Sequence, residues 1–309
     1  MFNRRKFLCT TLLAAAGSNL PFPKKWHATH YSRHQQKSDD APFITDTNIN
    51  LFQWPFRRLK YSQTDLMLAK LRKHRINQAW AGSYEALFHK DLAGVNFRLA
   101  EECRERGEGM LIPFGTVNVG WPGWEEELRR CHEQYHMPGI RIYPGYQAFD
   151  LDHSDFRSFL QVMTERGMIL QIACDMEDAR VHHPLIEVRD ISMDLLPGLV
   201  KAVPELKVQL LYWNHKVGHN LLERLIADTF VVFDTSRIES SGGVGRLIDG
   251  NPWFGNPVTI PANRILFGSH VPYFPVEANI LKLFESPLTL EQISAIVSDN
   301  ANHLLDSRL

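Results

Sequence analysis

Apolar residues follow two different spacings along residues 43–309. Short apolar runs rich in β-branched and aromatic residues, which are typical of buried strands, alternate with stretches whose apolar residues recur at helical spacing. Eight runs are predicted as strands: 43–50, 76–82, 109–119, 139–146, 168–175, 206–214, 229–236 and 264–273. The pattern therefore predicts an α/β fold in which strands and helices alternate.

Amphipathic stretches separate these strands, and several end at a glycine or proline, as at Gly107, Gly167 and Pro204. Eight strand and helix units in one domain of this length predict a (β/α)8 TIM barrel. Residues 288–305 are predicted as an extra C-terminal helix on its outside. A doubly wound open sheet is the alternative, but it would need a glycine-rich phosphate loop after the first strand, and none is present.

The N-terminal segment predicts export. Residues 1–17 have a basic start and a short apolar run, and the paired Arg4 and Arg5 resemble a twin-arginine signal, which implies a periplasmic protein. The apolar run is too short to leave a stable transmembrane anchor. Residues 18–42 are polar and without period, which predicts a disordered linker before a single domain at 43–309.

The composition limits the partners of this domain. The net charge of -1 provides no basic field of the kind that binds nucleic acid, so a small molecule is the expected ligand, and the oligomeric state is left open. Outside the signal segment the cysteines Cys103, Cys131 and Cys174 show no paired spacing, so they are predicted to be free.

Polar residues occupy the ends of several predicted strands, where TIM barrels carry their functional groups. Because side chains alternate along a strand, residues of one parity are expected to share a face. Such sets are Asp46, Asn48 and Asn50 on the first strand, Gln171, Ala173 and Asp175 on the fifth, and Val208, Leu210, Tyr212 and Asn214 on the sixth. On the fourth strand the same rule directs Arg141 and Tyr143 into the barrel, with Asp46 as a candidate partner for Arg141.

Four segments together resemble the amidohydrolase-related branch of the amidohydrolase superfamily. They are "DTNIN" on the first strand, "GIRIYPGY" on the fourth, "LQIACDMED" on the fifth and "LFGSHVPYF" on the eighth. The resemblance covers most of residues 43–305 and implies a (β/α)8 barrel of the kind that carries metal-dependent hydrolases and decarboxylases.

The chain departs from the metal-binding pattern that this resemblance implies. Asn48 and Asn50 stand where the family motif Asp-x-His-x-His has its two histidines, and His270 stands at the catalytic aspartate of the eighth strand. The family histidines of the fifth and sixth strands match Ala173 and Tyr212, or Cys174 and Trp213 if the alignment shifts by one residue. Neutral amides are weak ligands for zinc-like ions. The sequence thus predicts no metal ligand and no cofactor, with a divalent ion such as zinc only if the site has been rebuilt.

The candidate site residues divide into two roles. His270 and Asp175 are the catalytic candidates, and the substrate-binding candidates are Asn48, Asn50, Arg141, Tyr143, Tyr212, Asn214 and His183. Each has a structural alternative: the asparagines could satisfy each other, His270 could be a packing residue, and the loop "CDMEDARVHHP" could be held by salt bridges. The aromatic loops "NLFQWPF" and "VGWPGW" could wall a pocket or act as lids.

Two functional hypotheses follow. In the first, the protein is a hydrolase acting on a small carbonyl compound, either without the usual metal or with one held by His270 and the loop "CDMEDARVHHP". His270 would then be the general base, and arginine or amide groups would hold the oxyanion. In the second, it is a catalytically silent barrel that binds a small molecule or a partner, because a fold alone does not supply an activity.

Overall fold

A computed structural model of the chain describes residues 43–250 and 258–306. The predicted signal segment and linker lie outside these residues. All eight predicted strands are present: β1 Ile44–Leu51, β2 Ile76–Ser83, β3 Leu111–Gly115, β4 Gly139–Ile142, β5 Ile169–Ala173, β6 Lys207–Leu211, β7 Val232–Asp234 and β8 Ile265–Leu266. They pair in parallel in the order β1 to β8.

The sheet closes on itself between β1 and the segment that follows β8. The Thr47 amide donates to the Phe267 carbonyl at 2.9 Å, and the His270 amide donates to the Asn48 carbonyl at 2.8 Å. A further parallel bridge joins Ile49 to Val271. The architecture is therefore the predicted TIM barrel rather than the open doubly wound sheet.

Helices follow the strands and surround the barrel. They are α1 Thr64–Lys73, α2 Leu92–Arg106, α3 Trp124–Arg129, α4 Pro144–Gln147, α5 Phe156–Glu165, α6 Leu196–Lys201, α7 His219–Asp228, α8 Gly243–Asp249, α9 Val276–Phe284, α10 Leu290–Ser294 and α11 Asn300–Asp306. A π-helical turn, Ala295–Asp299, joins α10 and α11 into the predicted C-terminal helix. None of the helices in the described part of the chain has the length and apolar character needed to cross a bilayer.

The main apolar core lies between the barrel wall and the helices. On β4, Ile140 and Ile142 face outward into this core, where Phe159 and Leu160 of α5 are also buried. The intervening residue Arg141 is completely buried inside the barrel, as its strand parity predicts. The helical spacing of apolar residues on α5 thus follows from its single buried face.

One irregularity in β1 changes which residues face the barrel interior. Between Asp46 and Ile49, β1 has one residue more than the matching stretch of β2, which is the mark of a β-bulge. The Thr47 hydroxyl accepts a hydrogen bond from Gln209 of β6, so Thr47 points inward together with Asn48. The strict alternation that the prediction assumed for Asp46, Asn48 and Asn50 is therefore interrupted between Asp46 and Ile49.

Candidate functional site at the barrel mouth

A closed hydrogen-bonded network crosses the middle of the barrel. Arg141 Nε donates to Gln171 Oε1 at 2.7 Å, and Gln171 Nε2 donates to Gln209 Oε1 at 2.7 Å. Gln209 Nε2 then donates to Thr47 Oγ1 at 2.6 Å. These four side chains come from different strands and are completely buried, so the network ties β1, β4, β5 and β6 together.

The predicted carboxylate partner of Arg141 is wrong. Within the described residues Arg141 forms no ion pair, and its remaining donors go to the Ile49 and Trp80 carbonyls and to Asn50 Oδ1. Asp46 Oδ1 instead accepts the backbone amides of Asn48 and Ser269, at 3.1 and 2.9 Å. The guanidinium is therefore a buried positive charge held by neutral acceptors.

The two asparagines of β1 are linked by a phenol. Tyr212 donates its hydroxyl to Asn48 Oδ1 at 2.8 Å and accepts from Asn50 Nδ2 at 3.3 Å. Asn48 Nδ2 donates to Asp234 Oδ2 at 2.7 Å, and Asn50 Oδ1 accepts from the Tyr143 hydroxyl at 3.3 Å. Both amides are fully buried, and protein groups occupy all four of their polar atoms.

Tyr212 follows directly after β6 and has an unusual backbone conformation. Its φ is 55°, in the left-handed region, and its amide donates to Asp234 Oδ1 at 3.1 Å. Val208 and Leu210, by contrast, belong to the core outside the barrel. The predicted grouping of Val208, Leu210 and Tyr212 on one face is therefore wrong.

Two buried carboxyl groups lie beside the asparagines. Burial raises the pKa of Asp234, and it raises the pKa of Asp46 to about 7, with a smaller contribution from the charge of Asp234. Asp46 Oδ2 has no hydrogen-bond partner in the described part of the chain. Sequence reasoning did not select Asp234, although a single acidic residue closing the apolar run "TFVVFD" was a usable signal.

His270 is completely buried among aromatic rings. Its ring is stacked on Tyr273 at 4.8 Å and 6°, and lies 4.3 Å from the ring of Tyr212 and 5.2 Å from that of Phe274. Neither imidazole nitrogen has a hydrogen-bond partner among residues 43–250 and 258–306. Burial, followed by the charges of nearby arginines, holds the pKa of His270 well below its ordinary value. The ring is thus neutral, with one donor and one acceptor unused.

Aromatic side chains close the barrel mouth above His270. We call this group the aromatic cap: Trp54, Phe56, Tyr84, Phe88, Tyr273 and Phe274. The loop "NLFQWPF" after β1 supplies Trp54 and Phe56 to it. The loop "VGWPGW" contributes to the helical layer instead, where Trp124 packs edge-on against Phe159 at 5.7 Å.

The other predicted site residues lie around the cap. Asp175 Oδ2 forms an ion pair with Arg237 Nη1 at 2.8 Å, and Asn214 Nδ2 donates to the Arg237 carbonyl at 2.9 Å. No hydrogen bond joins Asp175 to His270, so these two catalytic candidates do not form an acid-base pair in this structure. Asn214 Oδ1 is buried without a partner among the described residues.

The loop after β5 is partly a salt-bridged turn, as one alternative predicted. Arg180 Nη2 lies 2.6 Å from Asp178 Oδ2 on the surface. His183 stacks on Phe56 at 4.5 Å, and its Nδ1 accepts the amide of Leu185. Ring contacts lead from His183 through Phe56 and the rest of the aromatic cap to His270, so His183 lies at the outer end of the cap.

The polar groups at the barrel mouth do not fit a divalent cation. The oxygens of Asn48 and Asn50 accept hydrogen bonds from Tyr212 and Arg141, and the positive guanidinium lies beside Asn50. Within the described ranges no three side chains of His, Cys, Asp or Glu form a group that could hold a metal ion. Weak neutral ligands next to a fixed positive charge are unfavourable for binding zinc or manganese.

Solved structures confirm the fold. A 2,6-dihydroxybenzoate decarboxylase from Rhizobium is similar at 15% identity and a TM-score of 0.62, over 84% of this chain and 98% of that one. A dihydroxybenzoic acid decarboxylase from Polaromonas sp. JS666, with bound manganese and the inhibitor 2-nitroresorcinol, is similar at 14% identity and a TM-score of 0.64, over 86% of this chain and 97% of that one.

A candidate amidohydrolase from Staphylococcus aureus is similar at 14% identity and a TM-score of 0.62, over 85% of this chain and 99% of that one. No protein-family model and no curated protein sequence matches the chain. The structural matches are consistent with the resemblance to amidohydrolase-related proteins, and at these identities they establish the TIM-barrel architecture.

Proposed function

We propose that the barrel mouth binds a small planar anion without a resident divalent cation. The observation that carries this proposal is His270, a completely buried imidazole whose two nitrogens have no partner among the described residues. Buried polar groups in folded proteins are nearly always hydrogen-bonded, so an unpaired ring at the functional end of a barrel favours a ligand contact.

The electrostatics favour a negative ligand. Arg237, Arg141 and Arg57 each lower the pKa of His270, so their positive charge reaches the imidazole. Asp175 is already paired with Arg237, and burial favours the neutral form of Asp234. A ligand carboxylate or similar anion at His270 would lie near these three guanidinium groups, which supports an anionic ligand.

The walls favour a flat ligand. The rings of Tyr212 and Tyr273 lie 4.3 and 4.8 Å from His270, and an aromatic lining of this kind suits an aromatic or conjugated ligand. The structural matches include proteins with 2,6-dihydroxybenzoate and 2-nitroresorcinol bound, both of which are small aromatic compounds. We therefore choose 2,6-dihydroxybenzoate as the first probe.

Binding is tested by titrating the purified protein with 2,6-dihydroxybenzoate and following heat or a thermal shift, with metal content measured by elemental analysis on the same sample. We expect saturable binding that does not depend on added zinc or manganese and that is lost in His270→Phe. A matched control is His219→Phe on the exposed surface of α7, which should bind normally. Binding that appears only with about one tightly held metal ion per chain would refute the metal-free proposal.

A second candidate function is hydrolysis of a small carbonyl compound with His270 as general base. It is favoured by the same neutral ring, whose acceptor nitrogen has no partner among the described residues. The expected signature is a hydrolysis rate for p-nitrophenyl acetate that is flat from pH 6 to 8, since the base is already deprotonated, and that falls in His270→Phe. Equal rates in the two proteins would leave binding as the function.

Export through the twin-arginine route is part of the proposal for the whole chain. The support is the paired Arg4 and Arg5 ahead of a short apolar run. Fusing residues 1–42 to a folded reporter should deliver it to the periplasm, and Arg4→Lys/Arg5→Lys should retain it in the cytoplasm. Delivery of both fusions would argue against this signal type.

A further inference from the structure

A buried carboxyl group joins the segments that follow β4, β5 and β8. Glu177, in the loop after β5, is 4% exposed. Its Oε2 accepts the hydroxyl of Tyr146, which follows β4, at 2.8 Å, and its Oε1 accepts the hydroxyl of Tyr273, which follows β8. Glu177 forms no ion pair within the part of the chain that the structure describes, so two neutral phenols hold it in place.

Tyr273 connects this carboxyl group to the candidate site. One face of its ring lies parallel to His270 at 4.8 Å and 6°, and the guanidinium carbon of Arg57 is 4.1 Å from its ring centroid. Burial and the hydrogen bond to Glu177 raise the pKa of Tyr273, so its hydroxyl keeps the proton that it donates. While Glu177 holds Tyr273, one side of His270 is covered.

The loop that carries Glu177 has little regular structure of its own. Between β5 and α6 the structure contains only the short 3-10 turn Ala179–Val181, and Val181 and Leu185 are exposed at 56% and 83%. Buried residues hold both ends of the loop, Met176 and Glu177 at the start and Ile191 and Met193 at the end, whereas its exposed middle has few contacts and opens at low free-energy cost. When this loop swings outward, the Glu177 carboxyl group regains water, which offsets part of the cost of breaking its two hydrogen bonds.

We propose that Glu177, Tyr146 and Tyr273 form a latch that gates access to His270, so that ligand enters only when the loop after β5 releases from the two tyrosines. This inference rests on the proposed function in that it treats His270 as the binding position. The latch itself is a property of the free protein and is testable without any ligand.

The test measures how fast His270 reacts with diethyl pyrocarbonate, by mass spectrometry of its peptide, with exposed His219 as internal standard in the same sample. Tyr146→Phe and Tyr273→Phe keep the rings of the mouth and remove only the hydroxyls, singly and together. Glu187→Gln is the matched control, because it is an exposed carboxyl group in the same loop.

In the starting protein we expect His270 to react far more slowly than His219. Losing both hydroxyls leaves a buried acceptor unpaired, which should raise the His270 rate about tenfold, while Glu187→Gln leaves it unchanged. Amide hydrogen exchange should rise over residues 174–190 and stay unchanged in β5 and β6.

Two results would overturn the latch: a His270 rate equal to that of His219 in the starting protein, or an unchanged His270 rate in the double variant. If the double variant also loosens β5 and β6, the single variants decide, and unchanged His270 reactivity in both refutes the latch. If His270 is modified faster in the double variant but the protein does not bind 2,6-dihydroxybenzoate, the latch is supported and the proposed ligand is refuted. If the protein binds 2,6-dihydroxybenzoate but the His270 rate is unchanged in the double variant, the proposed ligand is supported and the latch is refuted.

Discussion

Buried polar side chains in the middle of the barrel are hydrogen-bonded to one another, whereas one buried ring at the mouth, His270, has no partner among the described residues. In the middle, Arg141, Gln171 and Gln209 form a closed set of hydrogen bonds that ends on Thr47. At the mouth, His270 is equally buried but has no hydrogen-bond partner within the described residues. Paired groups stabilise a fold, whereas an unpaired group costs stability and is expected where a site is prepared for a ligand. The central layer is therefore assigned to stability, and His270 is the group at the mouth that the proposed function assigns to a ligand.

Removing the central guanidinium should have the largest effect. Arg141→Met leaves Gln171 Oε1 without its donor and removes one of the two donors to Asn50 Oδ1 in a buried layer, so we expect a loss of about 3–5 kcal/mol in the free energy of unfolding. Urea denaturation measures this loss. The control Arg157→Met, on the exposed face of α5, should change stability by less than about 0.5 kcal/mol. Similar losses in both variants would contradict the assigned role of the central network.

The next effect is a dependence of stability on pH at Asp46. Its pKa in the folded protein, about 7, lies above its ordinary value of 3.8, so folding favours the protonated form. This contribution is full below about pH 4 and is lost as the pH rises to about 7, for a change of about 2–4 kcal/mol. Urea denaturation between pH 4 and 8 should show a smaller fall for Asp46→Asn than for the starting protein. If the free energy of unfolding fell equally with pH in both proteins, Asp46 would not be the group responsible for the pH dependence.

Adding a side-chain atom next to Arg141 should lower the stability of the protein by an intermediate amount. A Cβ atom on Gly82 would lie 2.6 Å from Arg141 Nη1 and 2.9 Å from the Tyr143 hydroxyl, so Gly82→Ala should cost about 2 kcal/mol. Gly198→Ala in α6 is the matched control, since a Cβ atom there meets nothing within 4 Å. In thermal unfolding, Gly82→Ala should have a lower midpoint temperature than the starting protein, and Gly198→Ala should have an equal or slightly higher one. The reverse ranking would show that the layer is loosely packed.

His270 should be the least sensitive of these positions. His270→Phe replaces an unpaired polar ring by an apolar ring among Tyr212, Tyr273 and Phe274, so we expect the free energy of unfolding to change by less than about 1 kcal/mol. Urea denaturation and the binding titration, run on the same preparation, should show stability retained and binding lost. A loss as large as that of Arg141→Met would make His270 a structural residue.

Alternating strand and helix patterns predicted the barrel because they depend on local spacing. The strand parity of β4 also placed Arg141 and Tyr143 inside the barrel correctly. Parity failed at the bulge in β1 and at the left-handed Tyr212, because both features depend on pairing and turns that a single strand pattern does not contain. For the same reason the sequence did not indicate that Asp234 contacts Asn48 or that Tyr273 contacts Glu177.

The eight-stranded architecture and the presence of asparagines at Asn48 and Asn50 were available from residue order alone. Which atoms these amides bond was not, because their partners Tyr212, Asp234 and Arg141 are remote in the chain and meet only after the barrel closes. Barrel closure also leaves His270 without a hydrogen-bond partner among the described residues and brings Glu177 to two tyrosines that follow β4 and β8. Local propensity sets the elements, whereas long-range packing decides which polar groups are satisfied and which remain free for a ligand.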